Sequence, residues 1–181
     1  MLGGEQHGHI NAVGFDLYCQ LLEQTVEELR GQKPEIEISS TINLNLDIRI
    51  PASYIADESQ RLRMYKRISS AREAAELGAL RQEMIDRFGP YPEPVEFLFS
   101  YAALRQEAVE LQIQAIERSR GQVLFRFVDE SRVSAQKLLA FVSRNRRASF
   151  SPQGVLSLEA EDQPPAALFD TIHKVIDQIR Q

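Results

Sequence analysis

The residues from Arg61 to Phe99 constrain the fold most, because their apolar positions recur every three or four residues. This is the period of amphipathic helices that each bury one stripe. The stripes consist of Leu62, Tyr65 and Ile68, and then of Leu77, Leu80, Met84 and Phe88. Gly89 and Pro90-Tyr91-Pro92 end the second helix, and a third begins around Glu93-Pro94 and runs to about Gln112. Three charged helices joined by short turns indicate a recognition platform more than an active site.

Strand patterns lie on both sides of these helices. Apolar residues alternate with polar ones from Ile42 to Ile50, which predicts a strand with one buried face that Pro51 closes. Residues 113–118 and 123–128 predict a hairpin around Ser119-Arg120-Gly121. Residues 148–151 and 155–160 predict a second hairpin around Pro152-Gln153-Gly154.

Three more amphipathic helices are predicted. The first runs from about Val13 to Arg30, and the second from Val133 to Asn145 with Leu138, Leu139 and Val142 inside. The last helix buries Leu168, Ile172, Val175, Ile176 and Ile179. The predicted fold class is α/β of an α+β-like kind, with a small, largely antiparallel mixed sheet packed against several helices. Residues 1–30 are predicted to form a helical N-terminal appendage, residues 31–41 a linker, and residues 42–181 the C-terminal α/β domain.

Composition narrows the class of protein. The formal net charge of −5 argues against a general nucleic-acid binder, because phosphate binding relies on lysine and arginine. Cys19 is the only cysteine, so no internal disulfide forms, as is usual in a reducing cytosol. No apolar run approaches the roughly 20 residues of a membrane helix. The predicted location is the cytoplasm.

Catalytic and metal-binding patterns are missing from the sequence. There is neither a GxxxxGK loop nor a GxGxxG motif, and Asp57-Glu58-Ser59-Gln60 suits the polar start of a helix better than an acidic nucleotide-motor box. His7 and His9 lack a third metal ligand, and Cys19 lacks a second thiol. His173 is interpreted as a solvated side chain on a polar helix face. No catalytic residue, cofactor or metal is therefore predicted.

Charged groups are the remaining candidates, and each has two interpretations. Glu83 and Asp86 lie one turn apart, away from the apolar stripe of their helix. They are either solubilising residues with Arg81 or Arg87 as local partners, or a docking edge for a basic surface. Two basic clusters are either solvated or contact phosphate: Arg61, Arg63, Lys66 and Arg67, and then Arg144, Arg146 and Arg147.

The sequence also resembles a known family. Residues 61–99 resemble the C-terminal domain of bacterial transcription-repair coupling factors (Mfd). The motifs are Arg-Leu-x-x-Tyr-Lys-Arg-Ile at 61–68, Glu76-Leu77, Asp86-Arg87-Phe88-Gly89 and Pro92-x-Pro94-Val95. Residues 2–26 resemble the end of the translocation motif that the family shares with RecG-type helicases. This resemblance implies a C-terminal fragment of an ATP-driven double-stranded DNA translocase whose P-loop lies upstream.

The resemblance also implies roles for particular residues and partners. Gln6 and His9 match the motif that couples ATP hydrolysis to movement on DNA. Glu83 and Asp86 match acidic positions that dock on the protein's own N-terminal UvrB-like module. In the family, this docking restrains the motor and masks the UvrA-binding surface. The parent would contact RNA polymerase, UvrA and DNA, and its motor would use ATP and magnesium. The alternative function is a nucleic-acid-binding accessory domain of a helicase-like protein.

Overall fold

The computed structural model describes residues 40–128, 131–161 and 163–180. Within those ranges it contains five strands and five helices. The strands are β1 Thr41–Asn43, β2 Ile113–Ser119, β3 Gln122–Phe127, β4 Ala148–Ser151 and β5 Val155–Glu159. The helices are α1 Glu58–Ser70, α2 Ala74–Phe88, α3 Glu93–Glu110, α4 Ala135–Arg144 and α5 Pro165–Ile179. None of the described helices is both long and apolar enough to span a membrane.

The strands form one mixed sheet in the order β1-β2-β3-β5-β4. β1 runs parallel to β2, and every other neighbouring pair is antiparallel. The predicted fold class, a small and largely antiparallel mixed sheet with amphipathic helices, is confirmed. The helical appendage predicted for residues 1–30 and most of the linker predicted for residues 31–41 lie outside the described residues.

The described residues fall into two compact units. The first covers residues 47–102 and contains α1, α2 and the beginning of α3. The second covers residues 40–46 and 103–180 and contains the end of α3, the sheet, α4 and α5. The first unit carries the candidate docking residues, and the second carries the sheet.

Local sequence signals set the helix ends in the first unit. The Asp57 carboxylate accepts a hydrogen bond from the Gln60 N–H at 2.7 Å, which caps the start of α1. The helix-start interpretation of residues 57–60 is thereby confirmed. Gly89 follows the last residue of α2 with a φ of 81°, a left-handed conformation that glycine adopts at little cost. α3 then begins at Glu93, as its early proline predicted.

Both predicted hairpins of the second unit are present. Arg120 and Gly121 both have positive φ in the turn between β2 and β3, as a two-residue turn between twisted strands requires. Gly154 completes the turn between β4 and β5, where its N–H donates to the Ser151 carbonyl at 3.1 Å. The predicted apolar stripe of α5 is fully buried. The turn residues between the strands and the apolar spacing of the helix were therefore sufficient to predict these elements.

Two predictions about local structure were wrong. The strand predicted from Ile42 to Ile50 is limited to Thr41–Asn43, although apolar and polar residues still alternate in burial beyond it. Asn45 has a φ of 54°, which takes the chain out of the extended conformation, and its side-chain amide donates to the Arg118 carbonyl at 3.1 Å. Leu139, predicted to be inside, is 62 % exposed because α4 buries Leu138 and Phe141 instead.

Candidate docking surface

The candidate surface lies on α1 and α2. Each helix buries its apolar stripe and leaves a charged side outside, with Met64, Tyr65 and Ile68 buried on α1 and Leu77, Leu80 and Met84 on α2. The Tyr65 hydroxyl accepts a hydrogen bond from the Ile50 N–H, which ties α1 to the chain that precedes it. The Tyr54 hydroxyl donates toward the carbonyls of Met84 and Gly89, at 3.1 and 2.9 Å. These bonds hold the end of α2 in place.

Glu83 lies between two arginines, and we call Arg67, Glu83 and Arg87 the Glu83 cluster. Arg67 of α1 contacts both carboxylate oxygens, with Nη1 2.7 Å from Oε1 and Nη2 2.6 Å from Oε2. Arg87 Nη1, one turn along α2, lies 2.7 Å from Oε1. The Glu83 side chain is 28 % exposed and its charge is paired within the fold, as the interpretation with Arg87 as a local partner predicted.

The same contacts change the acidity of Glu83. The hydrogen bond from Arg67, followed by that from Arg87, lowers the pKa of the Glu83 carboxyl to about 2. The carboxylate therefore stays ionised throughout the physiological range. A new cation reaching Glu83 would have to compete with two arginines that are already in place.

Asp86 differs from Glu83 in what it contacts. Its carboxylate accepts one hydrogen bond, from the Gln82 side-chain amide at 2.8 Å, and the residue is exposed. Ile85, the neighbouring residue, is 39 % exposed although it is large and apolar. Asp86 and Ile85 are consecutive exposed residues of α2, so this part of the helix offers a partner both a carboxylate and apolar surface.

Ile85 was missed from the sequence, although a signal was present. It is an apolar residue outside the stripe formed by Leu77, Leu80, Met84 and Phe88. On an amphipathic helix, such a residue is exposed unless another element covers it. Its position next to Asp86 would have marked it as a candidate.

The four basic residues predicted to form a patch on α1 have different partners in the structure. The Arg61 guanidinium donates to the carbonyls of Ile55 and Ala56 at 2.7 and 2.8 Å, at the chain segment before the helix. Arg67 belongs to the Glu83 cluster. Arg63 and Lys66 are exposed and carry the remaining charge. The four residues therefore do not act as one group.

Arg81, considered as a local partner of the acidic residues, pairs elsewhere. Its Nη1 lies 3.0 Å from a carboxylate oxygen of Glu96 on α3, and the guanidinium lies 5.0 Å from the centre of the Phe99 ring. The Tyr91 hydroxyl donates to the same carboxylate at 2.8 Å. Arg87 is thus the local partner that the sequence correctly indicated for Glu83.

The other candidate residues are not brought to this surface. Gln6 and His9, predicted to couple the motor, lie outside the described residues, as do His7 and Cys19. Among the residues that the structure describes, no group of three or more metal-ligating side chains converges. His173 is not simply solvated as predicted, because its Nδ1 lies 3.1 Å from a carboxylate oxygen of Glu107. That hydrogen bond raises the pKa of His173 against the opposing effect of burial.

Comparison with known proteins agrees with this architecture. The TRCF domain family model matches residues 44–138. The transcription-repair-coupling factor of Bacillus subtilis is 40 % identical over 141 residues, which are 76 % of this chain and 12 % of that protein. The relative in Myxococcus xanthus is 29 % identical over 98 % of this chain, which is 16 % of its own length. The chain therefore spans less than a fifth of these relatives.

A solved structure supports the same fold. The C-terminal domain of transcription-repair coupling factor superposes with a TM-score of 0.70 at 20 % identity, covering 77 % of this chain and 91 % of that domain. The family match covers α1 and α2, which carry the candidate surface, and continues through α3 into the sheet. This chain belongs to the TRCF domain family, which confirms its resemblance to the C-terminal region of transcription-repair coupling factors.

Proposed function

We propose that this chain is a non-catalytic regulatory fragment of a transcription-coupled DNA repair protein. In this proposal it docks on the protein's own N-terminal UvrB-like module, restrains the motor and masks the UvrA-binding surface. The observation that carries the proposal is an exposed carboxylate and an exposed apolar residue, Asp86 and Ile85, side by side on a helix within the family match. A protein partner could bury Ile85 and pair with the Asp86 carboxylate in one contact.

The whole protein, in the same proposal, is an ATP-dependent translocase on double-stranded DNA that also contacts RNA polymerase and UvrA in the cytoplasm. ATP and magnesium serve its motor, and Gln6 and His9 belong to the segment that couples hydrolysis to movement. The regulatory fragment itself takes no cofactor. Its contribution is a reversible contact, which sets the balance between a restrained and an active protein.

Asp86 is the stronger of the two proposed docking residues. Both oxygens of Glu83 are occupied by Arg67 and Arg87, so a partner arginine would replace existing bonds there. Asp86 has one amide partner and gains a full charge-assisted contact on docking. Such a contact contributes on the order of 1.5–3 kcal/mol where it is desolvated. Glu83 then acts by holding α1 and α2 together beneath the contact.

The proposal is tested by measuring the affinity of this chain for the N-terminal third of the parent protein, supplied separately. Asp86→Arg is expected to weaken binding about tenfold or more, because it places a cation against the partner's arginines. Asp177→Arg, on α5 in the second unit, makes the same charge change at another exposed position and is expected to bind normally. Circular dichroism of each variant checks that it is folded.

Two further readouts separate docking from an indirect effect. Wild-type binding is expected to weaken with added salt, and Asp86→Arg is expected to show a shallower dependence. UvrA capture by the N-terminal module is expected to fall when the wild-type chain is added and to be spared by Asp86→Arg. Unchanged affinity of a folded Asp86→Arg variant would contradict the proposed contact.

A further inference from the structure

The sheet of the second unit has an open edge at β4. β4 pairs with β5 on one side, and no strand of the described ranges pairs with its other side. The Arg147 carbonyl accepts from the Glu159 N–H at 2.9 Å, so this carbonyl and, two residues on, the backbone groups of Ser149 face β5. The alternation places the Ala148 carbonyl and both backbone groups of Phe150 on the outer side. An added strand could bond to these groups.

Three arginines stand immediately before this edge. Arg144 ends α4, and Arg146 and Arg147 lead into β4; all three are exposed. Their guanidinium groups form no ion pair with any residue in the described part of the chain. The turn that carries them is well bonded, since Asn145 Oδ1 accepts from the Arg147 N–H at 3.1 Å and the Asn145 carbonyl accepts from the Ala148 N–H at 3.0 Å.

Apolar surface accompanies the charge. Phe150 of β4 is 38 % exposed, and its ring centre lies 6.4 Å from that of Phe127. Leu139 of α4, the helix that ends at Arg144, is 62 % exposed. Phe150 lies on the strand that the three arginines precede, and the outer backbone groups of that strand have no strand partner within the described ranges. The edge therefore offers an extended peptide apolar, charged and backbone contacts.

We propose that the open edge of β4 binds an acidic, extended segment of a partner protein, which adds to the sheet as a further strand. Its backbone pairs with Ala148 and Phe150, its carboxylates contact Arg144, Arg146 and Arg147, and an apolar side chain packs on Phe150. Glu159 of β5 bonds to Arg147 through its backbone, and no ion pair joins its carboxylate to these arginines in the described part of the chain, so three exposed positive charges at this turn favour an acidic partner. This surface is in the second unit and is independent of the α2 docking contact.

A protein strand suits this surface better than nucleic acid does. The phosphates of a nucleic acid could bind the arginines, but they would leave the outward backbone N–H and C=O groups of β4 without a strand partner. Nucleic-acid binding relies on charge, and this chain is acidic overall with a net charge of −5. A peptide that alternates acidic and apolar residues uses the charge, the backbone groups and Phe150 together.

The test uses the full chain and a fluorescein-labelled peptide of about ten residues that alternates glutamate with valine, with binding followed by anisotropy. Arg146→Glu combined with Arg147→Glu is expected to weaken binding about tenfold or more. The matched control is Arg63→Glu combined with Lys66→Glu on α1, which reverses two exposed charges in the other unit and is expected to leave binding unchanged.

A second peptide separates strand addition from simple charge attraction. It has the same sequence and charge, but every backbone nitrogen is methylated, so neither edge of the peptide can donate hydrogen bonds to β4. We expect it to bind about tenfold more weakly than the unmethylated peptide. Equal binding of the two peptides, or no effect of the arginine reversal, would overturn the proposal. So would arginine-dependent binding of a duplex DNA of about 20 base pairs when the peptide does not bind.

Discussion

Arg67 and Arg87 in the first unit contact Glu83 at 2.6–2.7 Å, whereas Arg144, Arg146 and Arg147 in the second unit make no ion pair with a described residue. Both groups of arginines are dense in charge and lie on or beside an amphipathic helix. The first group holds two helices together and balances a carboxylate. The second group is exposed and has no such carboxylate among the described residues. Charge density alone therefore does not identify a binding surface, because availability depends on which neighbours the fold supplies.

The difference also changes the interpretation of acidic residues. Glu83 and Asp86 are separated by three positions on α2, yet Arg67 reaches only Glu83. A variant at Glu83 disturbs the packing of α1 on α2 as well as any docking. Asp86 is the residue at which a docking defect can be measured without that complication.

The largest expected effect on stability concerns two neighbouring leucines of α4. One is buried within the fold and the other is exposed. Leu138→Ala is expected to destabilise the protein by about 2–5 kcal/mol, because Leu138 is buried and its loss leaves a cavity. Leu139→Ala removes the same atoms from an exposed position and is expected to change stability by less than about 0.5 kcal/mol. Urea denaturation measures both. Similar losses would show that Leu139 is buried after all.

A smaller effect separates the two arginine groups directly. Arg67→Ala is expected to cost about 1 kcal/mol, because it removes two bonds to a half-buried carboxylate, whereas Arg146→Ala is expected to be neutral. Loss of Arg67 is also expected to raise the pKa of Glu83 from about 2 toward its usual range, as measured by carboxyl NMR. Because the folded pKa is lowered, the stabilisation is present above about pH 4.5 and is lost as the pH falls toward 2.

The same two variants can also contradict the proposed role of the Glu83 cluster. Equal stability of Arg67→Ala and Arg146→Ala, with an unchanged pKa at Glu83, would mean that the Glu83 cluster does not hold the helices together. The contrast between the two arginine groups would then be lost. Glu83 would become as suitable a docking residue as Asp86.

The smallest effect concerns the ion pair between His173 and Glu107 in the second unit. The hydrogen bond to Glu107 raises the pKa of His173, so the pair stabilises the folded state fully below the usual histidine value of about 6.5. The contribution is lost as the pH rises through the raised value. His173→Gln is therefore expected to cost a few tenths of a kcal/mol at about pH 5.5, and this cost is expected to decrease as the pH rises. A cost independent of pH would show a role in packing alone.

Much of the fold followed from local patterns. The ends of α1, α2 and α3 came from Asp57, Gly89 and Pro94, and the buried stripe of α5 followed from its spacing. These signals act over a few residues, so they can be identified from the sequence alone. The predicted strand from Ile42 to Ile50 was too long. Its alternation continues to Ile50, but the ladder with β2 ends at Asn43 and the backbone is left-handed at Asn45. Burial and strand pairing have different requirements, and only burial is encoded by alternation.

The candidate sites show the same division. The sequence by itself determined the family, the sheet with its helices, and the presence of charged groups at residues 61–67, 83–86 and 144–147. Only the tertiary structure decided which of these charges are paired. Arg67 and Glu83 are 16 residues apart and meet because α1 and α2 bury their stripes and bring the two side chains together. No helical period encodes that pairing, and none encodes the open edge of β4, because both depend on neighbours that are distant along the chain.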